Sequence, residues 1–218
     1  MRFLRSLGLL FGLVLLPLGS NALAGSATFY LGLAGFQADG GAGSILVEDF
    51  ESVVPKDTAL PSFTSNGITY TGTQASSPNV WVASPGYTNF GVPVTTSSVL
   101  TANGPEDFRI DLSTPATAIG FDVYYNGIDT VDLSFLDKDG NFLAGMSSGA
   151  PAGLGFMGIW LSYDQIYSVT FHSTGGERIN TGIDNVRMVA APVPAPGTIL
   201  LGALGTGLVG WMRRRRTL

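Results

Sequence analysis

The stretch that decides the fold is Phe108–Phe135, FRIDLSTPATAIGFDVYYNGIDTVDLSF. Within it Phe108, Ile110 and Leu112 alternate with Arg109 and Asp111, and Ile119, Phe121, Val123 and Tyr125 alternate with Gly120, Asp122 and Tyr124. Val131, Leu133 and Phe135 then alternate with Asp132 and Ser134. A period of two sends successive side chains to opposite faces of a strand, so each run has one buried and one wetter face. Outward from it, runs of β-formers at Ile45–Phe50, Gly67–Thr71, Val80–Val82, Asn141–Ala144, Phe156–Leu161, Ile166–Ser173 and Gly182–Val189 read as further strands. Asn66-Gly67 and Asp137-Lys138-Asp139-Gly140-Asn141 suit tight turns, because Asn, Asp and Gly tolerate positive φ. Ser84–Ser98, with its prolines and glycines, reads as a long loop. About nine or ten short strands without a helical period predict an all-β chain, a single β-sandwich of jelly-roll type over residues 45–190.

Both ends of the sequence differ from this middle. Residues 1–24 carry Arg2 and Arg5, an apolar run from Leu7 to Leu18, and small residues at Ala22 and Ala24, the layout of a secretory signal peptide cleaved after Ala24. Residues 25–44 are rich in Gly, Ala and Ser and read as a flexible leader in which Phe29–Leu33 is the one stretch able to pair as an edge strand. At the other end, Val193-Pro194-Ala195-Pro196 leads into an uncharged segment, Thr198–Met212, closed by Arg213, Arg214, Arg215 and Arg216. Such an order predicts a short transmembrane helix with its arginines on the cytoplasmic side. Fifteen residues span about 22 Å, against a hydrocarbon core of about 30 Å, and Gly202, Gly205, Gly207 and Gly210 weaken the helix further. The segment therefore reads as a transient hold at the inner membrane.

Between the ends, five basic residues (Lys56, Arg109, Lys138, Arg178, Arg187) face all sixteen acidic ones, a formal charge of −11. That balance argues against nucleic acid or anionic lipid as partner. There is no cysteine, so the exported domain relies on its core rather than on disulfides. His172 is the only histidine and alternates onto the wetter face of its strand, which leaves no triad to build. No phosphate-cradling loop or zinc spacing is present. In Gly182-Ile183-Asp184-Asn185-Val186-Arg187-Met188, Asp184 shares a face with Val186 and Met188. An inward carboxylate needs a partner. Two arrangements satisfy it: a turn cap or contact with Arg109 or Arg178, or a structural calcium shared with the acidic first strand, Glu48-Asp49-Phe50-Glu51. Among the aromatic residues, Trp81, Tyr87 and Tyr124 are the ones expected to face a ligand, where their rings would stack on sugars.

The C-terminal tail resembles the PEP-CTERM sorting signal of Gram-negative bacteria that make exopolysaccharide. The resemblance rests on Val193-Pro194-Ala195-Pro196, the glycine-bearing apolar segment and Arg213–Arg216, with Ala195 where the family's namesake motif has glutamate. It implies export through the inner membrane, cutting at the motif by an exosortase-like protease, and delivery to the cell surface or extracellular matrix. The middle resembles exported jelly-roll domains of the carbohydrate-binding kind, through Asp49-Phe50-Glu51, Phe135-Leu136-Asp137-Lys138-Asp139-Gly140 and Gly182-Ile183-Asp184-Asn185-Val186. That second resemblance implies Glu51 and Asp184 as acids holding a structural Ca2+. The expectation is a non-enzymatic surface or matrix protein associating with exopolysaccharide, with an extracellular glycan hydrolase or a filler or adhesin without glycan affinity as the other readings.

Overall fold

The computed structural model describes residues 26–39, 43–87, 95–102, 106–125, 127, 130–149, 153–173 and 180–192. The expected signal peptide with Ala22 and Ala24, the sorting signal 193–218, and part of the long loop lie outside the described residues.

Among the described residues the chain is built almost entirely of strands: β1 (Ala27–Tyr30), β2 (Ile45–Glu48), β3 (Ser62–Ser65), β4 (Ile68–Gly72), β5 (Val80–Ala83), β6 (Val99–Ala102), β7 (Phe108–Tyr125), β8 (Thr130–Leu136), β9 (Phe142–Gly149), β10 (Gly153–Leu161), β11 (Ile166–Ser173) and β12 (Gly182–Ala190), with one short helix, α1 (Leu33–Ala38). The arrangement fits a β-sandwich.

β7 organises both layers. The alternating runs at its two ends were expected as separate strands, yet they form one strand of 18 residues. Its first half, Phe108–Leu112, pairs with β4 on one side and β11 on the other, and the sheet continues through β8 to β9. Its second half, from Ala116 on, pairs with β10 and β12. β1 extends that layer beyond β10, while β2 and β6 line the far edge of β12 and β5 follows β6. The change of partners falls at Ser113-Thr114-Pro115, where proline has no N–H to give a ladder. Ser113 N–H instead donates to Gly67 O (3.0 Å), and Ala191 N–H donates to Pro115 O (2.8 Å).

One core lies between the layers. Phe108, Ile110, Ile68, Tyr70 and Phe171 from the first layer meet Phe121, Val123, Met157, Ile159, Ile183 and Val186 from the second. Phe108 stacks on Phe171 with centroids 4.5 Å apart. A smaller core occupies the outer face of the second layer, where Phe36 of α1, fully buried, packs on Tyr30, Ala118 and Phe156. Over residues 26–39 this corrects the expectation of a flexible leader, which ran from 25 to 44. The backbone groups of β1 pair with β10, and Phe36 has an apolar face to cover.

Two strands escaped the sequence pattern. β3 has a single apolar side chain, Phe63, and forms because Asn66 (φ 47°) and Gly67 (φ 76°) fold a tight hairpin onto β4. β6 is buried on both faces and so shows no alternation. The Asp137–Asn141 turn is a hairpin: Asp137 accepts from the backbone N–H groups of Asp139 and Asn141, both at 2.8 Å.

At the end of β4, a Cβ on Gly72 would lie 2.5 Å from the backbone N of Asn79 and 2.5 Å from the carbonyl carbon of Pro78. Neither can move without shifting the chain. We expect Gly72→Ala to lower stability by about 1–3 kcal/mol in urea denaturation; a midpoint equal to that of the unmodified chain would refute the packing described for this corner.

Candidate functional site: an acid and aromatic cluster at one end of the sandwich

The first residues of β12 carry the site because the ladder with β7 is bulged there. Asp184 stands opposite Asp122, but Arg187 stands opposite Gly120, so Asn185 and Val186 share one partner position. Asn185 absorbs the kink with φ 51°, a conformation asparagine tolerates. Two like charges directly opposed are destabilising, and the neighbouring side chains offset this. Asn185 Nδ2 donates to Asp122 Oδ2 (2.8 Å), and Arg187 Nη1 lies 3.8 Å from the same oxygen. Asp184, only 1% exposed, accepts from the N–H of Asn185 (2.6 Å) and from Ser97 Oγ (2.6 Å).

Ser97 and Ser98 tie this pair to the turn after β2. Ser97 Oγ also lies 3.2 Å from Tyr124 Oη. Ser98 gives its N–H to Glu51 Oε1 (2.8 Å) and its Oγ to Glu51 Oε2 (3.0 Å). Lys56 Nζ donates to Glu51 Oε2 (3.2 Å) and to Ser98 Oγ (2.6 Å). The turn itself is held by Glu48, buried, which accepts from Phe50 N–H (2.7 Å) and Asn66 Nδ2 (3.1 Å) while Phe50 takes φ 57° and turns its ring into the core.

These surroundings push the acids apart in pKa. Burial raises Asp184 to about 6 against the opposing help of Ser97 and Asn185, and the charges of Asp122 and Glu51 add to the rise. Burial also raises Asp122, eased by Asn185 and Arg187. Glu51 is lowered, chiefly by the Ser98 N–H. Burial raises the Tyr124 phenol, with Asp184, Asp122 and Glu51 adding to it.

The structure brings all the sequence-expected residues of the domain to this end. Glu51 and Asp184 are held by adjacent serines, and Trp81, Tyr87 and Tyr124 form one cluster with Ala83 and Val99. Trp81 meets Tyr87 edge to face at 4.9 Å. Tyr124 departs from its expected exposure. It is 6% exposed, because Ala83 of β5 and Val99 of β6 cover the face that alternation marks as polar. Trp81 and Tyr87 are half-buried, and the indole Nε1 of Trp81 is buried with no partner among the described residues. Ser97, Ser98 and Lys56 were invisible to sequence reasoning, since nothing in a loop's letters says which acid its hydroxyls will meet. Asp122 carried a signal: a charged residue between Phe121 and Val123, in register with Asp184.

The donor set does not fit the structural calcium that the carbohydrate-binding resemblance implies. Calcium takes six to eight oxygens, whereas both oxygens of Glu51 and of Asp184 already face N–H, O–H or ammonium donors. Among the described residues no three acids or imidazoles converge on one point. His172 lies elsewhere, with its Nδ1 hydrogen-bonded to Asp107.

Residues 192–216 match the PEP-CTERM protein-sorting motif. A comparison with curated proteins finds no match. Among solved structures the chain is similar to a cleaved adhesin domain of Lys-gingipain, at 13% identity and TM-score 0.49, covering 69% of this chain and 100% of that one. It is also similar to the family 11 carbohydrate-binding module of a cellulosomal cellulase of Clostridium thermocellum, at 14% identity and TM-score 0.34, covering 68% and 95%. A third similarity is to the enzymatically active domain of a bacteriophage tailspike protein, at 20% identity and TM-score 0.33, covering 60% of this chain and 22% of that one.

Because the folded-state pKa of Asp184 is raised above 3.8, folding takes up a proton between the two values. Its contribution to stability is therefore complete below about pH 4 and is lost as pH rises through about 6. We expect Asp184→Asn to gain on the unmodified chain across that window, by on the order of 2 kcal/mol between pH 4 and pH 7 in paired denaturation curves. A difference independent of pH would show that the carboxyl is ionised throughout. The sorting motif implies a protein exported and sorted by way of the membrane in Gram-negative bacteria, and processed by an exosortase.

Proposed function

We propose that the exported sandwich is a non-enzymatic surface or matrix protein that contacts exopolysaccharide through the Trp81, Tyr87 and Tyr124 end of its jelly-roll-like fold. The observation that carries this reading is the convergence of these three aromatics, scattered in sequence, into one cluster in which Trp81 and Tyr87 are half-buried and Tyr124 is buried. Aromatic rings with a polar tip suit sugar rings, which offer apolar faces edged with hydroxyls. The acidic domain disfavours polyanions, so a neutral or cationic polymer is the matching class. On this reading the tail delivers the domain to the cell surface or matrix, where the polymer is abundant and weak single contacts are multiplied by avidity.

A hydrolase has one observation in its favour, the raised pKa of Asp184 beside Asp122, which resembles a general acid with a neighbouring carboxylate. Against it, Asp184 is 1% exposed and both its oxygens are engaged inside the protein, so no substrate oxygen reaches it as placed.

The test is affinity electrophoresis of the processed protein from its own host in gels containing that host's exopolysaccharide. We expect retardation that falls about tenfold in apparent affinity on Trp81→Ala, on the order of one lost stacking contact. Equal mobility with and without polymer would sink the glycan reading. Release of reducing ends that stops on Asp184→Asn would establish the hydrolase instead.

A further inference from the structure

We infer that the ammonium of Lys56 is this domain's own cation at the acid cluster, and that the native chain takes no divalent metal there. Three carboxylates gather here: Asp184 stands opposite Asp122, and Glu51 is held by Ser98, the neighbour of the Ser97 that holds Asp184. Two basic side chains reach them: Arg187 beside Asp122 and Lys56 on Glu51. Lys56 Nζ sits between Glu51 Oε2 and Ser98 Oγ, and Ser98 is the neighbour of the Ser97 that holds Asp184. An ion bound at Glu51 Oε2 would have to displace that ammonium.

Lys56 is not a wandering surface lysine. Its side chain is 21% exposed, and the next residue is pinned twice over. Asp57 N–H donates to Val82 O (2.8 Å), and the Asp57 carboxylate accepts from Ser84 N–H (2.8 Å) and Ser84 Oγ (2.5 Å). The backbone thus delivers the stem of Lys56 to Glu51, and an ammonium with three donors finds two of its acceptors there. The serine hydroxyls are oriented for this arrangement as well. Ser98 Oγ receives from Lys56 and gives its proton to Glu51, so its geometry is that of a relay between ammonium and carboxylate. A calcium ligand would have to turn that proton away.

The experiment is thermal melting of the full chain in detergent, in chelator and in millimolar calcium, for the unmodified protein, Lys56→Gln and Lys56→Arg. An ion bound to the folded state alone must raise its midpoint. We expect the unmodified chain and Lys56→Arg to melt within about 1 °C in both conditions. Lys56→Gln should melt lower in chelator and regain part of the loss in calcium, because Glu51 is then left without its cation. A calcium-dependent rise of several degrees in the unmodified chain would overturn the inference. So would a Lys56→Gln protein that melts like the unmodified chain and ignores calcium. Titration of the unmodified chain with a calcium-selective electrode decides the same point without any variant: no uptake below millimolar calcium is expected, and tighter uptake refutes it.

Discussion

The structure depends on one strand serving two sheets. β7 gives its first five residues to one layer and its last ten to the other, so neither layer is complete without it. Phe108 and Ile110 at one end, and Phe121 and Val123 at the other, reach the same core from opposite walls. A strand of this kind needs a place to change partners without orphaning backbone groups. Ser113-Thr114-Pro115 is that place: proline removes a donor, and the groups that remain find Gly67 and Ala191. β12 follows from the same constraint, since its pairing with the second half of β7 fixes where Asp184 lies.

The sequence showed most of the strands and hid the joint. Alternation was plain on both halves of β7 because each half has one wall against the core. It failed at Ala118, Gly120 and Tyr124, which sit on the outer face but are buried beneath α1 on one side and β5 and β6 on the other. Period-two patterns report one buried face, and where both are covered the pattern goes silent. That is why Tyr124 read as polar-facing, and why β6, buried throughout, gave no strand signal. The leader was misread for a related reason. Its composition is that of a linker, but pairing with β10 depends on backbone groups, and the one large side chain that matters, Phe36, finds its pocket only in three dimensions.

At the site, the acids were legible and their partners were not. Asp184 announced itself by sharing a face with Val186 and Met188, and its register partner Asp122 stood in plain alternation. What decides their chemistry comes from the loop before β6, through Ser97 and Ser98, and from Lys56. Each is a common residue in an unpatterned stretch. The site is consequently a compromise between opposed charges: Asp122 is met by Arg187 and Asn185, Glu51 by Lys56 and Ser98, and Asp184 by neutral donors alone. The acid without a cation is the one whose pKa climbs to about 6.

The two ends of β12 separate the acid cluster from the sorting motif. Gly182 to Ala190 spans about 26 Å at strand spacing, with Asp184 near one end and the exit toward the sorting motif at the other. The last strand pair joins Ala190 to Ala116, and the last backbone bond joins Ala191 to Pro115. Among the described residues every strand partner of the sandwich precedes Pro194, where the proline motif begins.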